Sequence, residues 1–111
     1  MLDLLITGGL VLDGAGNPGQ YLSVGVKDGA IEVLRGDTSQ VQATRRLDAT
    51  GKIVCPGFID VHAHSGLMIL NQPEHMPKVH QGVTTEVIGI DGNSYAPFKD
   101  PMDLDRMIQI N

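Results

Sequence analysis

Basic clusters are missing from this chain. No run of lysine or arginine exceeds the pair Arg45-Arg46, and 8 basic residues stand against 13 acidic ones, for a net charge of −5. That balance argues against a nucleic-acid partner and against an anionic membrane surface, both of which need a basic patch. Cysteine occurs once, as Cys55, so no internal disulfide can form and a reducing, cytoplasmic setting is expected. No apolar run approaches the length of a membrane span. The N-terminal Met1-Leu2-Asp3-Leu4-Leu5-Ile6 carries an acid where an export signal would carry basic residues, and its apolar run is too short for that role. Internal repeats and low-complexity tracts are absent. Gly8-Gly9 has neither the spacing nor the Lys-Ser/Thr of a phosphate loop. Gly14, Gly16 and Gly19 follow a strand without opening a helix, which is a weak basis for dinucleotide binding.

What is present suits a folded chain. Its 111 residues are enough for one small domain, and 41% hydrophobic against 19% charged content argues for a globular protein. Residues 1–54 read as all-β. Short strands are expected at Leu4–Ile6 and Leu10–Leu12, a turn-rich loop from Asp13 to Gly19, and strands at Ser23–Val26 and Ile31–Leu34. Asp28-Gly29 between the last two is a hairpin signal, because both residues tolerate positive φ. A polar loop over Gly36–Thr44 and a strand at Arg46–Ala49 complete this part.

At Ile53 the character changes. Ile53-Val54-Cys55 and Phe58-Ile59-Asp60-Val61 form a nearly continuous apolar run, which suits a strand buried on both faces of a parallel sheet. Cys55 within it is expected to be a buried, inert thiol. A helix is expected over Pro73–Gln81, starting no later than Pro77 and stopped by Gly82. Val83–Ile90 is the next expected strand, and Asp100-Pro101 with Asp103 marks a helix start that leads through Leu104, Met107 and Ile108. Strand, helix, strand in this order implies a parallel sheet. The sequence reaches Asn111 without a third such strand, so truncation is expected. Met68, Met76, Met102 and Met107 read as gap-filling apolar residues.

His62 and His64 stand two residues apart at the end of this strand, so a period-two backbone sends both to one face, together with Asp60. Neutral imidazoles in that arrangement make half a metal site, suited to Zn²⁺ and similar ions. A pair of hydrogen-bonded histidines is the plainer alternative. Asp91 ends the following strand and would approach the two histidines if the strands are neighbours. As part of Asp91-Gly92-Asn93 it also reads as turn chemistry, a slightly favoured alternative. Glu86, on the opposite parity, reads as a paired or helix-facing residue. His75 and His80 lie in the helical segment and read as solvent-facing or packing residues.

The stretch Asp48-Ala49-Thr50-Gly51-Lys52, followed by Pro56-Gly57-Phe58-Ile59-Asp60-Val61-His62-Ala63-His64, resembles the start of the metal-dependent amidohydrolase superfamily. Asp13–Pro18, Gln81–Val87 and Gly92–Pro97 resemble its D-aminoacylase (N-acyl-D-amino-acid deacylase) branch. That resemblance covers almost the whole chain. It implies a (β/α)₈ TIM-type barrel beside a small β-sandwich, with residues 1–54 as the N-terminal part of the sandwich and 55–111 as the first strands and helices of an incomplete barrel. It implies one or two divalent ions, Zn²⁺ above all, with His62 and His64 as ligands and Asp91 as a weaker candidate. Asp60 would be a structural carboxylate. The chemistry implied is metal-assisted hydrolysis of a non-peptide C–N bond in a small-molecule amide, an N-acyl-D-amino acid. The later histidine ligands and the proton-shuttling aspartate of such enzymes have no counterpart in this sequence, so the chain alone is expected to be inactive. Two departures stand out. Asp91 occupies the place of a metal-binding cysteine, and a carboxylate is a harder ligand than a thiolate. Gly66 stands where relatives commonly carry an acid. Two rival readings remain open here: a dihydroorotase- or hydantoinase-like cyclic amidohydrolase, and a short, non-catalytic β-rich binding module.

Overall fold

The computed structural model describes residues 1–66, 68–92, 94 and 99–110. They form two compact units, Met1–Pro56 and Gly57–Asn111.

All regular structure in the first unit is β. Strands β1 (Leu2–Thr7), β2 (Leu10–Val11), β3 (Gln20–Tyr21), β4 (Ser23–Lys27), β5 (Ala30–Leu34), β6 (Ala43–Asp48) and β7 (Ile53–Val54) follow in chain order. They build a four-stranded sheet in the order β5-β4-β1-β6 and a three-stranded sheet in the order β3-β2-β7. β1 is the hub of the larger sheet. It pairs antiparallel with β4, Leu5 opposite Gly25, and parallel with β6, Leu5 opposite Arg46. Leu5 is fully buried, and Leu2, Val24 and Ala49 are nearly so.

Two glycines matter for this packing. A Cβ on Gly25 would crowd the Leu2 side chain and Glu32, so glycine permits the close approach of β1, β4 and β5. In the hairpin between β4 and β5, Asp28 and Gly29 take φ of 50° and 76°, the left-handed pair that such a turn requires. The Asp28 N–H donates to Asp3 Oδ2 at 2.8 Å, which ties the turn to β1.

Ile6, Val24 and Val33 of the larger sheet, Val11 and Val54 of the smaller one, and Cys55 just beyond it line an apolar cavity of about 320 Å³. Cys55 is exposed, contrary to its expected burial, because the ladder with β2 ends at Val54 and leaves the thiol on the cavity wall.

In the second unit the order is β8 (Phe58–Asp60), α1 (Met68–Asn71), α2 (Met76–Val79), β9 (Val83–Glu86) and α3 (Pro101–Ile110). β8 and β9 pair in parallel, with Asp60 opposite Glu86 and an irregularity between Phe58 and Ile59. Pro77 stands in the first turn of α2, and Gly82 follows with φ of 80°. Asp100 caps α3 by accepting the Met102 N–H at 2.9 Å, with Asp103 in the first turn. α2 is far shorter than the helix expected over Pro73–Gln81, and α1 was not expected.

Burial of β8 on both faces is not found. Ile59 and Val61 are 63% and 70% exposed, since a two-stranded ladder supplies no third layer to cover them. Met68, Met76 and Met102 are exposed rather than gap-filling. The Met107 side chain, Asn93 and Tyr95–Pro97 lie outside the described residues. Among the described residues, no helix is long and apolar enough to cross a membrane.

Candidate metal centre

Regular strand pairing stops at Asp60, two residues before the first histidine. The backbone stays beside its neighbour for a little longer. Asp60 C=O accepts from Val87 N–H at 2.8 Å, and Val87 C=O accepts from Ala63 N–H at 3.1 Å. His62 and His64 are exposed while Ala63 between them is buried, so alternation of faces persists past the end of β8. The two imidazole rings lie 5.4 Å apart and are tilted by 60°.

Asp91 meets them from beyond the end of β9. Its Oδ2 lies 2.9 Å from His62 Nε2 and 3.4 Å from His64 Nε2. The residue adopts φ of 54°, followed by Gly92 at 75°. Both readings of Asp91 therefore describe the same residue: a left-handed turn position, which aspartate tolerates well, aims its carboxylate at the histidines. One ligand atom from each of His62, His64 and Asp91 falls within 4.8 Å of the others. Two imidazole nitrogens and one carboxylate oxygen make a donor set that suits a borderline divalent ion. All three side chains are solvent-accessible, so an ion and a substrate could both reach them.

Asp60 does not join this group. Its Oδ1 accepts the His62 N–H at 3.1 Å, while its Oδ2 pairs with Lys78 of α2. Lys78 Nζ also lies 2.9 Å from Glu86 Oε1. Glu86 Oε2 accepts from the Ser65 hydroxyl and lies 3.1 Å from His75 Nε2. Asp60 thus stands as a structural carboxylate, tied to the His62 backbone and to Lys78. Register sets Asp60 beside Glu86, and the lysine cation draws both carboxylates to itself. Lys78, through its hydrogen bond, and the His62 N–H hold the Asp60 carboxyl below its ordinary value. The Ser65 hydroxyl and then Lys78 and His75 do the same for Glu86, against the opposing effect of burial. Asp60 and then Glu86 push Lys78 above the usual lysine value.

His75 is a packing residue, its side chain 13% exposed against Glu86, and His80 is exposed. Lys78 and Ser65 carry no periodic or spacing signal. Only the ladder pairing of Asp60 with Glu86 reveals them.

A family model described as "Amidohydrolase family" matches residues 45–108. N-acyl-D-glutamate deacylase of Alcaligenes xylosoxydans xylosoxydans is 48% identical over 96 residues, covering 86% of this chain and 20% of that protein. D-aminoacylase of the same organism is 41% identical over 107 residues, covering 92% and 22%. The crystal structure of N-acyl-D-glutamate deacylase from Bordetella bronchiseptica, complexed with zinc and a phosphonate inhibitor, superposes with a TM-score of 0.82. Its sequence identity is 46%, with 90% of this chain and 21% of that one covered. The chain therefore spans about a fifth of the length of these relatives.

Proposed function

The chain belongs to the amidohydrolase family, and from that premise we propose that it supplies part of the metal centre of a hydrolase that acts on the C–N bond of N-acyl-D-amino acids. Convergence of His62, His64 and Asp91 within 4.8 Å carries this reading. Similarity to deacylases of D-amino acids supports the substrate class. In this reading Met1–Val54 is the N-terminal part of a β-sandwich, and Cys55–Asn111 begins a (β/α)₈ barrel whose remaining strands have no counterpart in the sequence. The His62–His64 segment follows the C-terminal end of a parallel strand, the position at which barrel enzymes build their sites. With a single cysteine, a reducing cytoplasmic setting fits best.

His62 and His64 would hold a zinc ion through Nε2, with Asp91 as a third, anionic ligand that offsets the ion's charge. Bound there, zinc would polarise the amide carbonyl and lower the pKa of water. Asp60 fixes the His62 backbone rather than touching the ion. By itself the chain is expected to bind zinc and to hydrolyse nothing, since a barrel of this kind needs about 250 residues.

Two measurements test the reading. Competition with a chromogenic chelator should show zinc binding that His64→Ala abolishes. A chimera in which this chain replaces the matching fifth of the Bordetella deacylase should release glutamate from N-acyl-D-glutamate, and His62→Ala in that chimera should not. A folded chimera without activity, or zinc binding indifferent to His64, would sink the proposal.

A further inference from the structure

The His62-Ala63-His64 segment lies beyond the last ladder pair of β8, so regular strand pairing does not fix its two rings. Beyond the single backbone bond from Ala63 N–H to Val87 C=O, it is gripped by side chains from both sides. Upstream, Asp60 Oδ1 accepts the His62 N–H at 3.1 Å. Downstream, the Ser65 hydroxyl donates to Glu86 Oε2. Both grips lead to the same cation. Lys78 pairs with Asp60 Oδ2 and lies 2.9 Å from Glu86 Oε1. His75, the residue just before α2, lies 3.1 Å from Glu86 as well, which ties the start of the helix from which the lysine extends.

We infer that Lys78, together with Glu86, is a positioning device for the metal-ligating segment: it holds Asp60 on one flank and Ser65 on the other, so that His62 and His64 converge before any ion binds. This rests on the reading of His62 and His64 as ligands. Charge explains why a cation is required. Asp60 and Glu86 are cross-strand partners, and Glu86 is only 12% exposed. Two carboxylates at that separation repel one another unless a positive group stands between them. Without Lys78, Asp60 turns to solvent, the His62 N–H loses its acceptor, and the two rings no longer start from a fixed geometry. A group that orients a ligand in this way typically affects metal affinity by about 10–100-fold.

The test uses the whole chain and two readouts. One is amide hydrogen exchange of the metal-free protein at His62 and Ala63, with the amides of β9 and of Leu5 as internal references. The other is zinc affinity by chelator competition. Lys78→Met should speed exchange at His62 and Ala63 by about tenfold or more relative to β9 and weaken zinc binding by about 10–100-fold. Lys78→Arg, which keeps the cation, should recover most of both. Ser65→Ala cuts only the downstream grip, so it serves if Lys78→Met does not fold, and it should loosen Ala63 with β9 unchanged. Unchanged exchange at His62 and Ala63, or equal loss throughout β8 and β9 in both variants, would overturn the inference. A chain that binds no zinc would sink the ligand reading alone, because the exchange comparison between variants still decides the positioning role.

Discussion

Four of the five buried apolar side chains among the described residues, Leu2, Leu5, Val24 and Ala49, belong to Met1–Pro56, and only Ala63 belongs to Gly57–Asn111. The second unit has instead a lysine between two carboxylates, with a serine and a histidine attached to the second of them. One unit is thus held by apolar contact between strands, the other by a polar cluster beside an exposed two-stranded ladder. Apolar burial is insensitive to small displacements of any one atom, whereas the polar cluster fixes particular atoms in particular places. Under the proposed metal reading, the second kind of cohesion serves the unit that carries His62, His64 and Asp91.

The sharpest way to break this contrast is to empty the core of the first unit. Leu5→Ala removes its one fully buried large side chain and should cost about 2–5 kcal/mol. In denaturant melts followed by amide exchange, β1 and β4 should lose protection while β8 and β9 keep theirs. Equal loss in both units would mean that they fold as one.

A smaller effect is expected from the reverse experiment. A Cβ at Gly57 would overlap the Thr84 side chain, so Gly57→Ala forces β8 away from β9. Overpacking of this kind costs about 1–3 kcal/mol. Exchange should rise at Phe58–Asp60 and stay level at Leu2–Thr7.

Smallest, but most specific, is the response to pH. Asp13, Asp37 and Asp48 in the first unit have lowered pKa values, owing first to donors on Asn17, Ser39 and Thr50 respectively, and Glu86 in the second is lowered by Ser65 and Lys78. A lowered carboxyl stabilises the fold above its ordinary value and loses that contribution as pH falls through the lowered one. Acid below about pH 4 should therefore weaken both units. Lys78 is shifted the other way. Its contribution is complete below the ordinary lysine value, about 10.4, and disappears as pH rises through the raised one. Melts at high pH should destabilise the second unit selectively, and Lys78→Arg should remove that selectivity. The effect is modest because the lysine side chain keeps 29% of its exposure.

Much of this arrangement is legible in the amino-acid sequence. Asp28-Gly29 marks the hairpin, Asp100-Pro101 the start of α3, and the period-two spacing of His62 and His64 their common side, while Asp91 reads slightly better as the turn residue that its φ of 54° also makes it. What stayed hidden depends on contacts that periodicity does not encode. Gln20–Tyr21 forms a strand of two exposed residues, held by its ladder with β2 rather than by any apolar pattern. The partner of Asp60 is not legible, because its carboxylate is captured by a lysine 18 residues away on another element. Apolar composition suggested burial for Ile59, Val61 and Cys55, yet burial needs a covering layer, and composition does not say where that layer comes from.

The parallel pairing of β1 with β6 sets an order of events. Leu2 lies opposite Ala43, so this ladder closes only after the intervening strands have been threaded through, whereas Lys27 and Ala30 of the β4–β5 hairpin are neighbours along the chain. Short-range closure is fast and long-range closure slow. Pulse-labelled exchange during refolding should therefore mark the β4–β5 amides first, those of β1 against β4 next, and β6 last. Every ladder described for this unit closes within Met1–Pro56, so on a growing polypeptide these strands can begin to pair before the histidine segment has left the ribosome.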